Sequence, residues 1–238
     1  MLTTKKQSSK TRSRKGRSRS QSRSKVGISI GSTKIQEILR EINDKIQKKC
    51  PKMKLVLDSR ENLTGEIHTF NETPNPEDVI LCLYKGENCI SSITFGIFEQ
   101  KLTISSRTAR KEEHRKYNTF LRMCAILFIH AWGYKSVTSL AENPTTVWLF
   151  MKYFYPDHMT FDDAEFRESS AFPNENMDFT KENVKKGFMS SITRYLRQTS
   201  TSYSNGYIVI QLEINDTVLG IANNNIETLL SETGIQCE

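Results

Sequence analysis

The residues whose types and order could do chemistry fall in one stretch, Lys101–Tyr155. It reads KLTISSRT, a charged turn ARKEEHRKYN, an apolar run TFLRMCAILFIHAWG, then YKSVTSLAEN and PTTVWLFMKYFY. The patterning predicts a strand, a turn, a buried helix, a second strand and a second helix opened by Asn143-Pro144. Strand–turn–helix geometry aims backbone N–H groups and the positive end of a helix dipole at an anion, commonly a phosphate. His114, Arg115 and Lys116 would add positive charge to such a turn, and Glu113 a negative one. Carboxylates able to act as a general base are few: Glu99 and Glu142 stand at predicted strand ends.

The remaining elements must hold that stretch in place. Ser32 caps a predicted amphipathic helix, with Ile35, Ile38, Leu39, Ile42 and Ile46 at helical spacing, which ends before Pro51. Lys52–Leu57 reads as a strand and residues 58–77 as a loop, with Gly65–Phe70 a candidate strand extension. Val79–Lys85 and Cys89–Phe95 flank Gly86-Glu-Asn88 as a hairpin, and Gln100–Ser106 extends it into an antiparallel meander. The helix from about Asn118 to Trp132 is apolar almost all round and must be covered on most sides. Ser136–Ala141 then lies beside Gln100–Ser106 as a parallel crossover.

Beyond Tyr155, residues 157–178 read as a polar excursion, Thr180–Gln198 as a helix, Tyr207–Ile214 as a strand and Ile226–Leu230 as a short helix. The fold class is mixed α/β: a central mixed sheet, an antiparallel meander followed by strand–helix–strand–helix. Three regions are expected: a disordered basic tail over 1–30, a core over 31–156, and a C-terminal extension over 157–238 that completes the sheet with a strand near 207–214.

Charge is segregated. Residues 1–25 hold ten Lys/Arg and no acid, so the remaining 24 Lys/Arg face all 27 Asp/Glu. A formal charge of +7 thus hides a mildly acidic body behind a basic tail. The Arg/Ser alternation at Arg17–Ser24 cannot bury apolar surface. Residues 5–25 are a candidate tether to nucleic acid or an import signal, since dense positive charge attracts phosphate whatever its sequence. The acidic body argues against a domain that reads nucleic-acid sequence. None of the five cysteines has CxxC spacing, which predicts neither a zinc site nor a disulfide framework. No apolar leader and no run long enough to span a bilayer is present, so the expectation is an intracellular protein, cytoplasmic or nuclear, without membrane contact. Oligomeric state is not legible.

With Asn143-Pro-Thr-Thr-Val-Trp-Leu-Phe-Met-Lys152-Tyr-Phe-Tyr155 added, Val79–Tyr155 resembles the GNAT superfamily of acetyltransferases, with Ser32–Cys50 matching its first helix. The chain also resembles GNAT-like proteins of large DNA viruses. The resemblance implies acetyl-coenzyme A (acetyl-CoA) in a V-shaped opening between two central strands, its pyrophosphate on a turn of pattern Arg/Gln-x-x-Gly-x-Gly/Ala. Matching helix registers puts Glu113 at the Arg/Gln position, and Lys116 and Asn118 at the two glycines. By the same resemblance Ser105, Ser106, Lys116, Tyr117, Asn118 and Thr119 border the cofactor, and Asn143 meets its pantetheine arm. Phe150 stands where the family's proton-donating Tyr stands, which leaves Tyr153 as the nearby phenol and Glu142 as the base. Lys152 matches the family's Lys, and Phe154 replaces its usual Gly. Two functions follow: acetyl transfer to an unidentified primary amine, or a catalytically silent scaffold of this fold tethered through the basic tail.

Overall fold

The computed structural model describes residues 28–59, 79–98, 101–108, 116–174, 177–179, 181–200 and 206–231, with Ile235 and Cys237. Helix α1 (Thr33–Lys49) begins where Ser32 Oγ accepts the Ile35 N–H at 3.4 Å, and it buries Ile35, Ile42 and Ile46. Strands β1 (Met53–Ser59), β2 (Val79–Lys85), β3 (Asn88–Phe98) and β4 (Lys101–Thr108) pair antiparallel in sequence order. Gly86, at φ 62°, turns the β2–β3 hairpin. The candidate strand extension at Gly65–Phe70 lies outside the described residues, as does the basic tail.

Helix α2 (Tyr117–Ala131) follows, then β5 (Ser136–Ala141), which pairs parallel with β4. Gly133 closes α2 at φ 85°, a conformation that a side chain would resist, while the Tyr134 N–H reaches back to the Ile129 carbonyl. Helix α3 (Pro144–Phe154) has Asn143 at its N-cap and proline in its first turn. The rest comprises β6 (Met159–Phe161), α4 (Ala164–Glu168), α5 (Glu182–Thr199), β7 (Ile208–Glu213) and α6 (Asp216–Leu229). The seven strands form one mixed sheet in the order β1-β2-β3-β4-β5-β7-β6. A first helix, an antiparallel meander, a helix, a parallel partner strand and an Asn-capped helix is the order the resemblance implies. The fold is GNAT-like.

The core is built around α2, which buries ten of its fifteen residues and packs on β3, α1 and α6. At about 1.5–3 kcal/mol per large side chain, this one helix is a principal source of stability. Strand β2 is buried on both faces: Leu81 and Leu83 join the main core, while Ile80, Cys82 and Tyr84 form a small second cluster with Cys89.

Several expectations need correction. Residues 157–178 are not a mere polar excursion: Phe161, Phe166 and Phe172 pack edge to face at 4.9–5.6 Å and anchor β6 and α4. The C-terminal helix is longer than Ile226–Leu230, running from an Asn215 cap, because α2 offers it an apolar face. Cys50 and Cys237 form a disulfide, with Cα atoms 5.2 Å apart across 187 residues of sequence. Spacing rules address neighbouring cysteines, and a pair this distant is invisible to them. Among the described residues no helix is long and apolar enough to cross a membrane, and no cluster of three His, Cys, Asp or Glu is placed to hold a metal.

Candidate active site

The site is set by where pairing stops. The β4–β5 ladder holds two residue pairs, Thr103–Thr138 and Ile104–Ser139, although β4 runs to Thr108 and β5 to Ala141. Beyond Ile104 and Ser139 the two strands part. β4 stays paired with β3 as far as Thr108, so among the described residues its other edge has no ladder partner beyond Ile104, and the gap there is the candidate opening.

Two helices start at this opening. Lys116 is the N-cap of α2 and holds a left-handed conformation, φ 62° and ψ 9°, and its own side chain makes no capping hydrogen bond. The lysine therefore adopts a backbone shape that glycine takes freely, at a cost of order 1–2 kcal/mol for a residue with a Cβ. Asn143 caps α3, its side-chain oxygen accepting the N–H groups of Thr145 at 2.7 Å and Thr146 at 3.4 Å. Neither helix has an acidic residue in its first turn. Within those first turns nothing opposes the positive end of either helix dipole.

One side chain spans the opening. Arg122 projects from α2 and is only 4% exposed. Its Nε donates to Asn118 Oδ1 at 2.8 Å, and its two Nη atoms donate to Ser106 Oγ on β4, Ser139 Oγ on β5 and Thr146 Oγ1 on α3. Its guanidinium carbon lies 5.2 Å from the centre of the Phe150 ring. Every partner is neutral. Burial alone lowers the Arg122 pKa from 12.5 to about 10, which leaves it charged at neutral pH. A buried charge without a counter-charge costs several kcal/mol.

The candidate residues fall unevenly around this cluster. Ser106 lies within it, donating to Asn118 Oδ1 at 3.4 Å as well as accepting from Arg122. Ser105 is exposed and, by strand alternation, points to the opposite face. Tyr117 is 1% exposed and belongs to the core, so only its backbone could border a ligand. Asn118 and Thr119 are half-buried on the first turn of α2, and Lys116 is exposed. The Asn143 side-chain oxygen is taken up by capping, which leaves its NH2 for a ligand. Glu142 is exposed at the end of β5. Tyr153 is half-buried, packs beside Phe154, and has Lys152 Nζ 5.2 Å above its ring. Burial raises its pKa, so the phenol keeps its proton at neutral pH. Glu99 and Glu113, with most of the charged turn, lie outside the described residues.

Arg122 is the residue that sequence reading passes over. Its signal was there: one charge in the otherwise apolar run Phe120–Ile129. A lone Arg on a helix more often lays its stem along apolar surface and keeps its head in water. Here the head is buried with the stem.

No protein-family model matches the chain, and no curated protein does. Solved structures do. An N-acetyltransferase from Staphylococcus aureus Mu50 aligns with 68% of this chain and 99% of its own at 11% identity and a TM-score of 0.40. A GNAT family acetyltransferase from Elizabethkingia anophelis, with acetyl-CoA bound, aligns with 69% of this chain and 98% of its own at 12% identity and a TM-score of 0.40. The catalytic domain of a Tetrahymena histone acetyltransferase in complex with coenzyme A aligns with 78% and 89% at 14% identity and a TM-score of 0.33. These are loose likenesses of overall fold.

Proposed function

We propose that the chain binds an acyl-coenzyme A thioester, acetyl in the simplest case, between β4 and β5 and transfers the acyl group to a primary amine. The observation that carries this reading is the two-pair ladder, which leaves β4 without a β5 partner from Ser105 to Thr108. An open strand edge offers N–H and C=O groups to an extended amide chain. The start of α2, with Lys116 left-handed before it and no acid in its first turn, suits a pyrophosphate. The residues present therefore fit such a cofactor at this end of the sheet.

Bound there, the thioester supplies an acyl carbon with a thiolate leaving group. The amine nitrogen forms the C–N bond as the C–S bond breaks, and the proton lost by nitrogen balances the thiolate. Glu142 is the group suited to take that proton, directly or through one water. Phe150 donates none, so the thiolate is protonated by solvent or by the departing amine proton. Positioning alone supplies several kcal/mol of rate acceleration. The test is mass spectrometry of a panel of amines and basic peptides incubated with acetyl-CoA. Acylated amine with stoichiometric free thiol supports the reading; hydrolysis alone, or no turnover, contradicts it.

A second reading is favoured by one observation: Arg122 crosses the opening and Phe150 offers no proton. The chain would then be a non-catalytic scaffold tethered to nucleic acid through residues 5–25, or carried to the nucleus by them. Affinity for nucleic acid should fall steeply with salt and vanish on deletion of residues 1–25. Affinity that survives the deletion would contradict this second reading.

A further inference from the structure

We propose that the opening between β4 and β5 receives the anionic end of its ligand at Arg122, and that the donor suited to this chain is a coenzyme A thioester of a dicarboxylic acid. The inference rests on the thioester reading above and names the class of acyl group.

The argument is one of missing charge. Arg122 reaches the point where the strands part, since its partner Ser139 belongs to the last ladder pair, Ile104–Ser139, and its partner Ser106 lies two residues beyond Ile104. It is buried, and its hydrogen-bond partners are three hydroxyls and a carboxamide. Asn118 and Thr146, two of those partners, belong to the first turns of α2 and α3, which carry no acid. A buried guanidinium therefore stands beside two helix first turns with no carboxylate among its hydrogen-bond partners. Hydroxyls can turn to release a donor at little cost, whereas a carboxylate matches the guanidinium fork with two parallel hydrogen bonds. An acetyl methyl group gains nothing beside this cation. A terminal carboxylate supplies what the site lacks.

A carboxylate and a phosphate share this chemistry, so the test separates the sources. Affinities of the full-length chain for coenzyme A, acetyl-CoA and succinyl-CoA would be measured by calorimetry, with succinate and inorganic phosphate alone as further arms. The expected result is succinyl-CoA binding at least about tenfold tighter than acetyl-CoA, the scale of one charge-assisted hydrogen bond. In Arg122→Met that ratio should fall below about threefold. Arg122→Lys, which keeps the charge but loses the fork, should lie between. Equal affinity for the two thioesters, a preference that Arg122→Met leaves intact, or binding of phosphate in place of succinate would each overturn the proposal. Should no coenzyme A form bind while succinate does so through Arg122, the thioester reading fails and the carboxylate site stands. No binding by any arm sinks both.

Discussion

The Arg122 Nε donates to Asn118 Oδ1 at 2.8 Å, one helical turn back, and this bond ties the buried cation to the start of α2. A carboxamide on the first turn of α2 thus holds a guanidinium that also bonds Ser106 on β4 and Ser139 on β5.

The same charge predicts a pH dependence. Arg122 is a base whose folded-state pKa, about 10, lies below its ordinary 12.5. At neutral pH both folded and unfolded chains carry the proton, and the full penalty, of order 3 kcal/mol at 1.36 kcal/mol per pKa unit, is present. Between about 10 and 12.5 the unfolded chain holds more protons, so this contribution to stability rises with pH. Arg122→Met should thus be no less stable than the parent by more than about 1 kcal/mol at pH 7, despite its lost hydrogen bonds. Its stability relative to the parent should fall as pH passes 10. Chemical denaturation of both proteins at pH 7 and pH 10.5 checks this. A loss above about 3 kcal/mol at pH 7 would show that the guanidinium is net stabilising.

Lys116→Gly should stabilise the free protein by about 0.5–1 kcal/mol, because glycine takes φ 62° without the clash a Cβ brings. The same change lets a phosphate approach the backbone more closely, so coenzyme A affinity should rise with it. Thermal melts with and without coenzyme A measure both effects. A melting temperature lowered by the substitution would mean that the lysine side chain contributes more than the strain costs.

Asn143→Ala should cost about 1 kcal/mol, the usual value of a lost N-cap, whereas Asn143→Asp should be nearly neutral. Asp keeps an acceptor for the Thr145 and Thr146 N–H groups and suits the α3 dipole. Urea denaturation of the two variants separates capping from any contact with a ligand. Equal losses in both would argue against the cap.

The Cys50–Cys237 bond spans 187 residues of sequence and should stabilise the oxidised form by up to about 5 kcal/mol on the loop-entropy scale. Reductant should therefore lower the melting temperature of the parent and leave Cys237→Ser unmoved. Cys82, Cys89 and Cys124 are buried, so the oxidised native protein should show no fast-reacting thiol. A rapid titration of one or more thiols before denaturation would contradict that.

What the sequence discloses follows local physics. The β2–β3 hairpin, β5 and α3 were legible because period-two alternation, a Gly turn, and an Asn-Pro start are all short-range signals. Residues 157–178 were not, since Phe161, Phe166 and Phe172 are spread among polar residues and acquire meaning only when they meet. The helix α6 was underestimated because Asn223, Asn224 and Asn225 have poor helix propensity, which packing against α2 overrides. Within the candidate site, the cap at Asn143 could be read directly from the Asn-Pro start, while most of the charged turn before α2 lies outside the described residues. The role of Arg122 could not, because its four partners come from β4, β5, α2 and α3.

Hydrogen exchange of the native protein, with and without saturating coenzyme A, bears most directly on the site. Amides of Ser105–Thr108 and of Lys116–Thr119 should gain protection together, because a ligand lying along the open edge of β4 with its pyrophosphate on α2 shields both. Protection confined to other segments, or no change at any coenzyme A concentration up to the millimolar range, would show that the gap between β4 and β5 is not a thioester site.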